Sequence, residues 1–202
     1  MEAFTIPTIP EALHWRHQPQ SWNVDEQSHD LTITAGTKTD WFYDPDRSNR
    51  NDNAPMALFT PPDTHFLLSA KVTVTFATPF DAGVLVLYEQ DDVWAKLCFE
   101  NSPQHKPMIV SVVTRGLSDD CNATIITEPS VFLRLYRNAD TFAFHYSHDG
   151  TYWHLVRYFS LGTLTNLQVG FSSQSPTGDA CTSIFSAMCY QQGMLTDIRN
   201  GN

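Results

Sequence analysis

Trp94, Lys96 and Glu100 recur at even spacing in the stretch VWAKLCFE, residues 93–100. On a β-strand, side chains two apart share a face. These three then project together with Cys98, while Ala95, Leu97 and Phe99 project the other way as core. One face of one strand carries an aromatic ring, a cation and an anion. Such a set suits a polar ligand such as a sugar: the ring stacks, the ammonium donates to hydroxyls and the carboxylate accepts from them. Trp41 with Tyr43, Asp119 and Arg157, on other predicted segments, are the residues that would complete the site. Trp41 would stack beside Trp94, Arg157 would donate beside Lys96, and Asp119 would accept beside Glu100. The competing reading is an internal ion-pair network that satisfies buried polar groups.

Other chemistries fit less well. Glycoside hydrolysis needs two carboxylates placed across one sugar bond. Glu89, Asp91 and Asp92 form the tightest acidic cluster, but such a cluster at a hairpin tip is ordinarily a solvated turn. The Glu-x-Asp-x-x-Glu strand signature of laminarinase-like sandwich enzymes would require glutamate at position 94, where Trp94 stands. Glu100 with Asp119 remains as the acid and base of a rival, hydrolytic reading. His14 and His17, or His145, His148 and His154, lack a further ligand at a metal-site spacing. His145 and His148 also have opposite parity on a strand. No metal or cofactor is expected. Cys98 has only Lys96 nearby to favour a thiolate, and reads as a small buried hydrophobe. There is no G-x-S-x-G and no Gly-rich phosphate loop.

The elements that must position these residues are strands. Residues 82–88 are almost wholly apolar, as in a strand covered on both faces. Gln90-Asp91-Asp92 turns that strand into the one bearing Lys96. Residues 66–76 alternate, with Ala70, Val72, Val74 and Phe76 inward. Segments 22–24 and 31–34 make a first hairpin, with Leu31 and Ile33 inward. Further strands are expected at 56–60, 108–115, 123–127, 131–137, 141–147, 152–159, 167–172 and 183–190, with Asp149-Gly150 as a hairpin turn. Residues 116–122 read as a loop. Residues 46–55, DRSNRNDNAP, read as a polar surface loop, long enough to be functional as a protein-interaction surface. Roughly a dozen strands with no amphipathic helix predict an all-β, antiparallel β-sandwich or jelly roll.

The 202 residues fit one domain, with a core at about 13–190, an extended lead-in anchored by Leu13 and Trp15, and a ragged tail at 191–202. A net charge of −10 argues against nucleic acid and anionic membrane as partners. The N-terminus shows no basic segment followed by an apolar one, and no apolar run is long enough to span a bilayer, so a cytoplasmic location is expected. Cys98, Cys121, Cys181 and Cys189 form no CxxC pair and read as free thiols of a reducing compartment.

Several blocks in order resemble one family. Trp15, Pro19 and Ser21-Trp22 followed by LTITAGTKTDWF at 31–42 are similar to the opening of the regulation-of-enolase-protein-like family of unknown function. Asp81-Ala82-Gly83-Val84-Leu85, Trp94-Ala95-Lys96-Leu97 and Glu100 resemble its central block. Ser111-Val112-Val113-Thr114, Ser118-Asp119, Ser147-His148-Asp149-Gly150, Trp153, Arg157, Gly170, Ser175-Pro176 and Gly178 resemble its later ones. Asp120 stands where the family carries tryptophan, and Cys98 replaces a small residue. The resemblance implies a concanavalin A-like lectin/glucanase fold. It also implies a non-catalytic, cytosolic binding or regulatory role around enolase and carbohydrate metabolism, with a carbohydrate, a sugar phosphate or enolase itself as partner.

Overall fold

The structure is a computed structural model that describes residues 3–202. In chain order its strands are β1 (His14–Arg16), β2 (Ser21–Val24), β3 (Leu31–Ala35), β4 (Trp41–Tyr43), β5 (Arg50–Asp52), β6 (Met56–Phe59), β7 (His65–Thr75), β8 (Ala82–Gln90), β9 (Val93–Asn101), β10 (Pro107–Arg115), β11 (Leu117–Ile125), β12 (Ser130–Asn138), β13 (Thr141–Ser147), β14 (His154–Ser160), β15 (Gln168–Gln174) and β16 (Cys181–Gln192). Two seven-stranded antiparallel sheets form a sandwich. The first runs β1-β6-β15-β8-β9-β10-β11 and the second β14-β13-β12-β7-β16-β3-β2, while β4 and β5 make a separate two-stranded ribbon.

The main core lies between the sheets. Period-2 alternation supplies it: Phe66, Leu68, Ala70 and Val72 from β7, Leu85 and Leu87 from β8, Ala95, Leu97 and Phe99 from β9, all fully buried. A second apolar layer lies on the other face of the first sheet. Trp41, Met56, Leu58, Val84, Val86, Trp94, Cys98, Val110 and Val112 pack there. Every residue of β8 from Ala82 to Glu89 is therefore buried. That is why its sequence reads as a continuous apolar run rather than an alternating one.

Three segments depart from the sequence reading. Residues 117–125 form one strand, β11, at the edge of the first sheet, where a loop was expected over 116–122 and a strand only from 123. Its charged and polar residues discourage pairing with another chain, as an edge requires. Residues 46–55 do not hang free, because β5 pairs with β4 and Ala54 is buried. The C-terminal segment is docked rather than ragged. The Leu195 amide donates to the Tyr136 hydroxyl, and the Ile198 and Gly201 carbonyls meet His145 and Arg134 at 2.8 and 3.0 Å.

Gly170 on β15 stands where backbone of the first sheet leaves no room for a side chain. A Cβ there would stand 1.8 Å from the Ala57 carbonyl oxygen, which belongs to the neighbouring strand β6. Backbone of a hydrogen-bonded ladder has little room to yield. Gly170→Ala is therefore expected to cost at least about 1–3 kcal/mol and to lower the melting temperature. A thermal melt coincident with that of the parent would show that β6 shifts freely.

Candidate functional site

β9 presents Trp94, Lys96, Cys98 and Glu100 on the outer face of the first sheet, and the register explains their different surroundings. Lys96 lies between Val86 on β8 and Val112 on β10, and Glu100 between Ala82 and Met108. Trp94 and Lys96 sit beneath the β4–β5 ribbon. Glu100 sits where that cover ends, and the outer face opens into a cleft of about 400 Å³.

Two of the predicted stacking residues do not line this cleft. Trp94 is 1% and Trp41 4% exposed. Their rings meet edge to face at 5.9 Å, and Tyr43 packs on Trp94 at 5.7 Å. The Trp41 indole donates to the Ala54 carbonyl at 2.8 Å, which closes the ribbon. Both tryptophans belong to the apolar layer beneath the ribbon, with no face left for a ligand. The exposed aromatic at the cleft is Phe80, and Phe42 from β4 also lines it.

Asp119 and Arg157 also lie elsewhere. Asp119 pairs in register with Val113, which faces the main core. It thus points away from Glu100, on the opposite face of the same sheet. The Arg157 guanidinium on β14 donates to the Asp119 carboxylate at 2.7 Å and to its carbonyl at 3.1 Å, clasping the edges of the two sheets together. The two carboxylates proposed as an acid and base pair therefore cannot flank one bond. Asp120, one residue on, is the side chain turned toward the cleft, in the row of Val112 and Lys96.

Lys96 is 4% exposed. Its ammonium donates to the Asp40 carboxylate at 3.0 Å and to the Gln174 side-chain oxygen at 2.9 Å. Burial works against the charged ammonium, but Asp40 first, with Cys98 and Glu100, outweighs it and raises the Lys96 pKa. Asp40 is itself fixed by local geometry. Its carboxylate accepts from the Trp41 amide at 2.7 Å, and its carbonyl accepts from the Asn53 and Ala54 amides. Sequence reasoning passed over Asp40 and Gln174, because neither stands in a recognisable motif. The aspartate is hidden in an aromatic run, and the glutamine lies just past the expected end of its strand.

Glu100 differs from Lys96. It is 8% exposed, and its carboxyl has no hydrogen-bond partner among the described residues. Burial pushes it up to about 8, with Lys96 opposing and Asp40 and Asp120 adding to the rise. Near neutral pH it is therefore a protonated, unpartnered acid at the floor of the cleft. Asp120 at the rim is raised by partial burial, an effect that solvent moderates. Cys98 is buried, and burial drives its thiol well above the usual range, which removes it as a nucleophile.

Phe80 has φ of 69°, a left-handed conformation that bulky residues rarely adopt. Asp81 holds the turn: its carboxylate accepts the Ala77 and Thr78 amides at 2.9 and 2.8 Å and the Ser175 hydroxyl at 2.8 Å. The Phe80 amide donates to Asn101, and the Phe80 carbonyl accepts from Gln174. The turn is thus tied to both strands that carry the cleft's polar groups.

The acidic hairpin tip is structural. Glu89 is buried and accepts from the Thr165 amide and hydroxyl and the Asn166 amide at 2.6–2.9 Å. Asp91 meets Arg16 and, at 2.5 Å, the Tyr88 hydroxyl.

The family model described as "Protein of unknown function (DUF1349)" matches residues 15–192. No curated protein matches the chain in sequence. Among solved structures, a functionally unknown protein from Saccharomyces cerevisiae superposes with a TM-score of 0.78 at 20% identity, over 91% of this chain and 97% of that one. The carbohydrate binding module CBM66 from Bacillus subtilis superposes with a TM-score of 0.55 at 14% identity, over 88% of this chain and 95% of that one. A xylan β-1,4-xylosidase from Bacillus halodurans C-125 gives 0.65 at 14% identity, over 88% of this chain but only 36% of the enzyme. These likenesses establish the sandwich fold.

Two stability predictions follow from the site. Lys96→Met strips the buried Asp40 carboxylate of its counter-ion and is expected to cost about 3–5 kcal/mol. Adding Asp40→Asn should recover part of the loss in urea denaturation. Unchanged stability in the single variant would mean that the pair is solvated. The second concerns pH. The Glu100 pKa is about 8 in the fold against an ordinary value of 4.5, so the folded state binds the extra proton. Its contribution is complete below pH 4.5 and is lost as pH rises through about 8. Glu100→Gln should therefore match the parent in acid and become the more stable of the two toward pH 8. Parallel stability curves for the two proteins would contradict this.

Proposed function

The chain belongs to the DUF1349 family of unknown function, and on that premise we propose that it is a non-catalytic carbohydrate-binding domain whose site is the cleft around Glu100. One observation carries the reading: a buried acid with no protein partner forms the floor of a cleft that also exposes an aromatic ring. A sugar would complete both, its hydroxyls taking up the Glu100 carboxyl and its apolar face lying on Phe80. A volume near 400 Å³ lies within the roughly 300–1,000 Å³ of small-ligand sites. The likeness to CBM66, named as a carbohydrate binding module, supports the same class of ligand.

Binding without cleavage is the reading because the Asp40 carboxylate is already engaged by Lys96 and Asp119 faces the other way. A link to enolase rests on the sequence resemblance alone and a cytoplasmic setting on the sequence reading, and both belong to this proposal only as context.

Titration calorimetry against mono- and oligosaccharides tests the proposal. A saccharide should bind the parent and bind Phe80→Ala about tenfold more weakly, with Glu100→Gln also weakened. No product should appear on prolonged incubation. Failure of every saccharide to bind, or equal affinity in both variants, would sink the reading. Released reducing ends would convert it to an enzymatic one.

A further inference from the structure

Resting on the carbohydrate reading, we infer that the cleft selects a sugar bearing a cationic amine, the amino-sugar class, over neutral sugars, and rejects phosphorylated or carboxylated ones. Charge and commitment of the lining side chains carry the argument. Asp40, Asp44, Glu100 and Asp120 all line the cleft, and Lys96 is the single cation among its lining residues. That ammonium is already spent on Asp40 and Gln174 and is almost wholly buried. Two of its three N–H donors are committed, and its burial gives an anionic ligand little access to the third. Phosphate recognition ordinarily uses an arginine fork or a nest of backbone amides, and no arginine lines this cleft.

An acidic cluster alone would be a solvated surface. What distinguishes this one is Glu100, more than nine-tenths buried, without a hydrogen-bond partner among the described residues and lining the empty volume. An ammonium placed against it gains a charge-assisted hydrogen bond in a site of low dielectric. Asp44 and Asp120 add attraction, and the faces of Phe42 and Phe80 favour a cation over an anion. A neutral hydroxyl also satisfies Glu100, but without the charge term.

Proton linkage gives a second signature. The charged groups that act on Glu100 are Lys96 on its own strand, Asp40 ahead of β4 and Asp120 on β11. Cys98, also on β9, stays a neutral thiol. The net effect keeps the Glu100 proton on at neutral pH. An incoming ammonium favours the carboxylate and expels that proton, whereas a neutral sugar does not.

The test is calorimetry at pH 6.5 with glucosamine, glucose and glucose 6-phosphate, each in two buffers of different ionisation heat. Glucosamine should bind about tenfold or more tightly than glucose. It should release a proton from the protein as it binds, and glucose 6-phosphate should not bind. Glu100→Gln, shown folded by its melting curve, should lose both the preference and the proton release. Equal affinity for glucosamine and glucose, tighter binding of the phosphate, or a preference that survives in Glu100→Gln overturns the inference. The first two of these outcomes leave the carbohydrate reading intact. No binding of any of the three overturns this inference alone, because the carbohydrate reading falls only if the wider saccharide series also fails to bind.

Discussion

The buried ammonium of Lys96 is the constraint from which the rest of the site follows. Its strand neighbours are Val86 and Val112, so without help it would be a charge in an apolar layer. Removing such an ion from water costs several kcal/mol, which only a well-placed counter-ion and further hydrogen bonds offset. Asp40 is that counter-ion, and it can reach Lys96 only if its segment crosses the outer face of the first sheet. The hydrogen bonds from Trp41, Asn53 and Ala54 to Asp40 then fix the course of the chain on either side. The β4–β5 ribbon follows, held at its far side by the Tyr43 amide on Ser118 and the Tyr43 hydroxyl on the Asp91 carbonyl. The ribbon's inner edge becomes one wall of the cleft. One ion pair thus sets the position of an element that contributes most of its own contacts elsewhere.

Covering the first sheet on both faces has a second effect. Apolar side chains from β6, β8, β9 and β10 fill the space under the ribbon, and the tryptophans Trp41 and Trp94 are its largest members. The layer ends where β9 reaches Glu100, because the ribbon stops short and the Asp81-clamped turn takes over. Polar groups collect at that boundary: Gln174 from β15, Glu100 from β9, Asp120 from β11. The cleft is the seam between two covers, the ribbon on one side and the turn bearing Phe80 on the other. Sites of this kind need no special motif, since they arise where packed layers fail to meet.

This explains what could be read from the sequence. The β8–β9 hairpin, its two faces and the membership of Lys96 and Glu100 on one of them were legible from alternation alone, because a buried core fixes parity. Asp120 was missed in favour of Asp119 for the same reason in reverse. Residues 117–125 are mostly exposed and the two aspartates fell in an expected loop, so no buried face fixed their parity, and a slip of one residue exchanges one face for the other. The tryptophans were assigned to a ligand because an aromatic beside charges looks the same in sequence whether its ring is covered or open. Trp94 is covered by Trp41 and Tyr43 of β4, and the Trp41 indole is tied down by Ala54 at the end of the 46–55 segment, whose ribbon strand carries no apolar signal. Asp40 and Gln174 come from distant parts of the chain, 56 and 78 residues from Lys96. Their roles are legible only once the sheet is built.

Whether the polar cluster is an internal ion-pair network or a ligand site turns on how its members are satisfied. In the Lys96, Asp40 and Gln174 portion the opposite charges are paired and the Gln174 side chain is engaged at both ends, and by itself it would be structural. Glu100 and Phe80 are different. A buried acid without a partner raises the free energy of the fold at neutral and higher pH, and a left-handed phenylalanine costs about 1–3 kcal/mol. Each cost has an obvious remedy, an apolar residue at one position and glycine at the other. Both persist in one cleft, on elements tied together by Gln174, whose side chain accepts from Lys96 and donates to the Phe80 carbonyl. The Asp81 clamp overdetermines the strained turn, and the ion pair overdetermines the wall opposite. Rigid surroundings that hold an unsatisfied acid and a strained aromatic against the same empty volume are what a preorganised binding site requires and what a purely structural network would have no need to maintain.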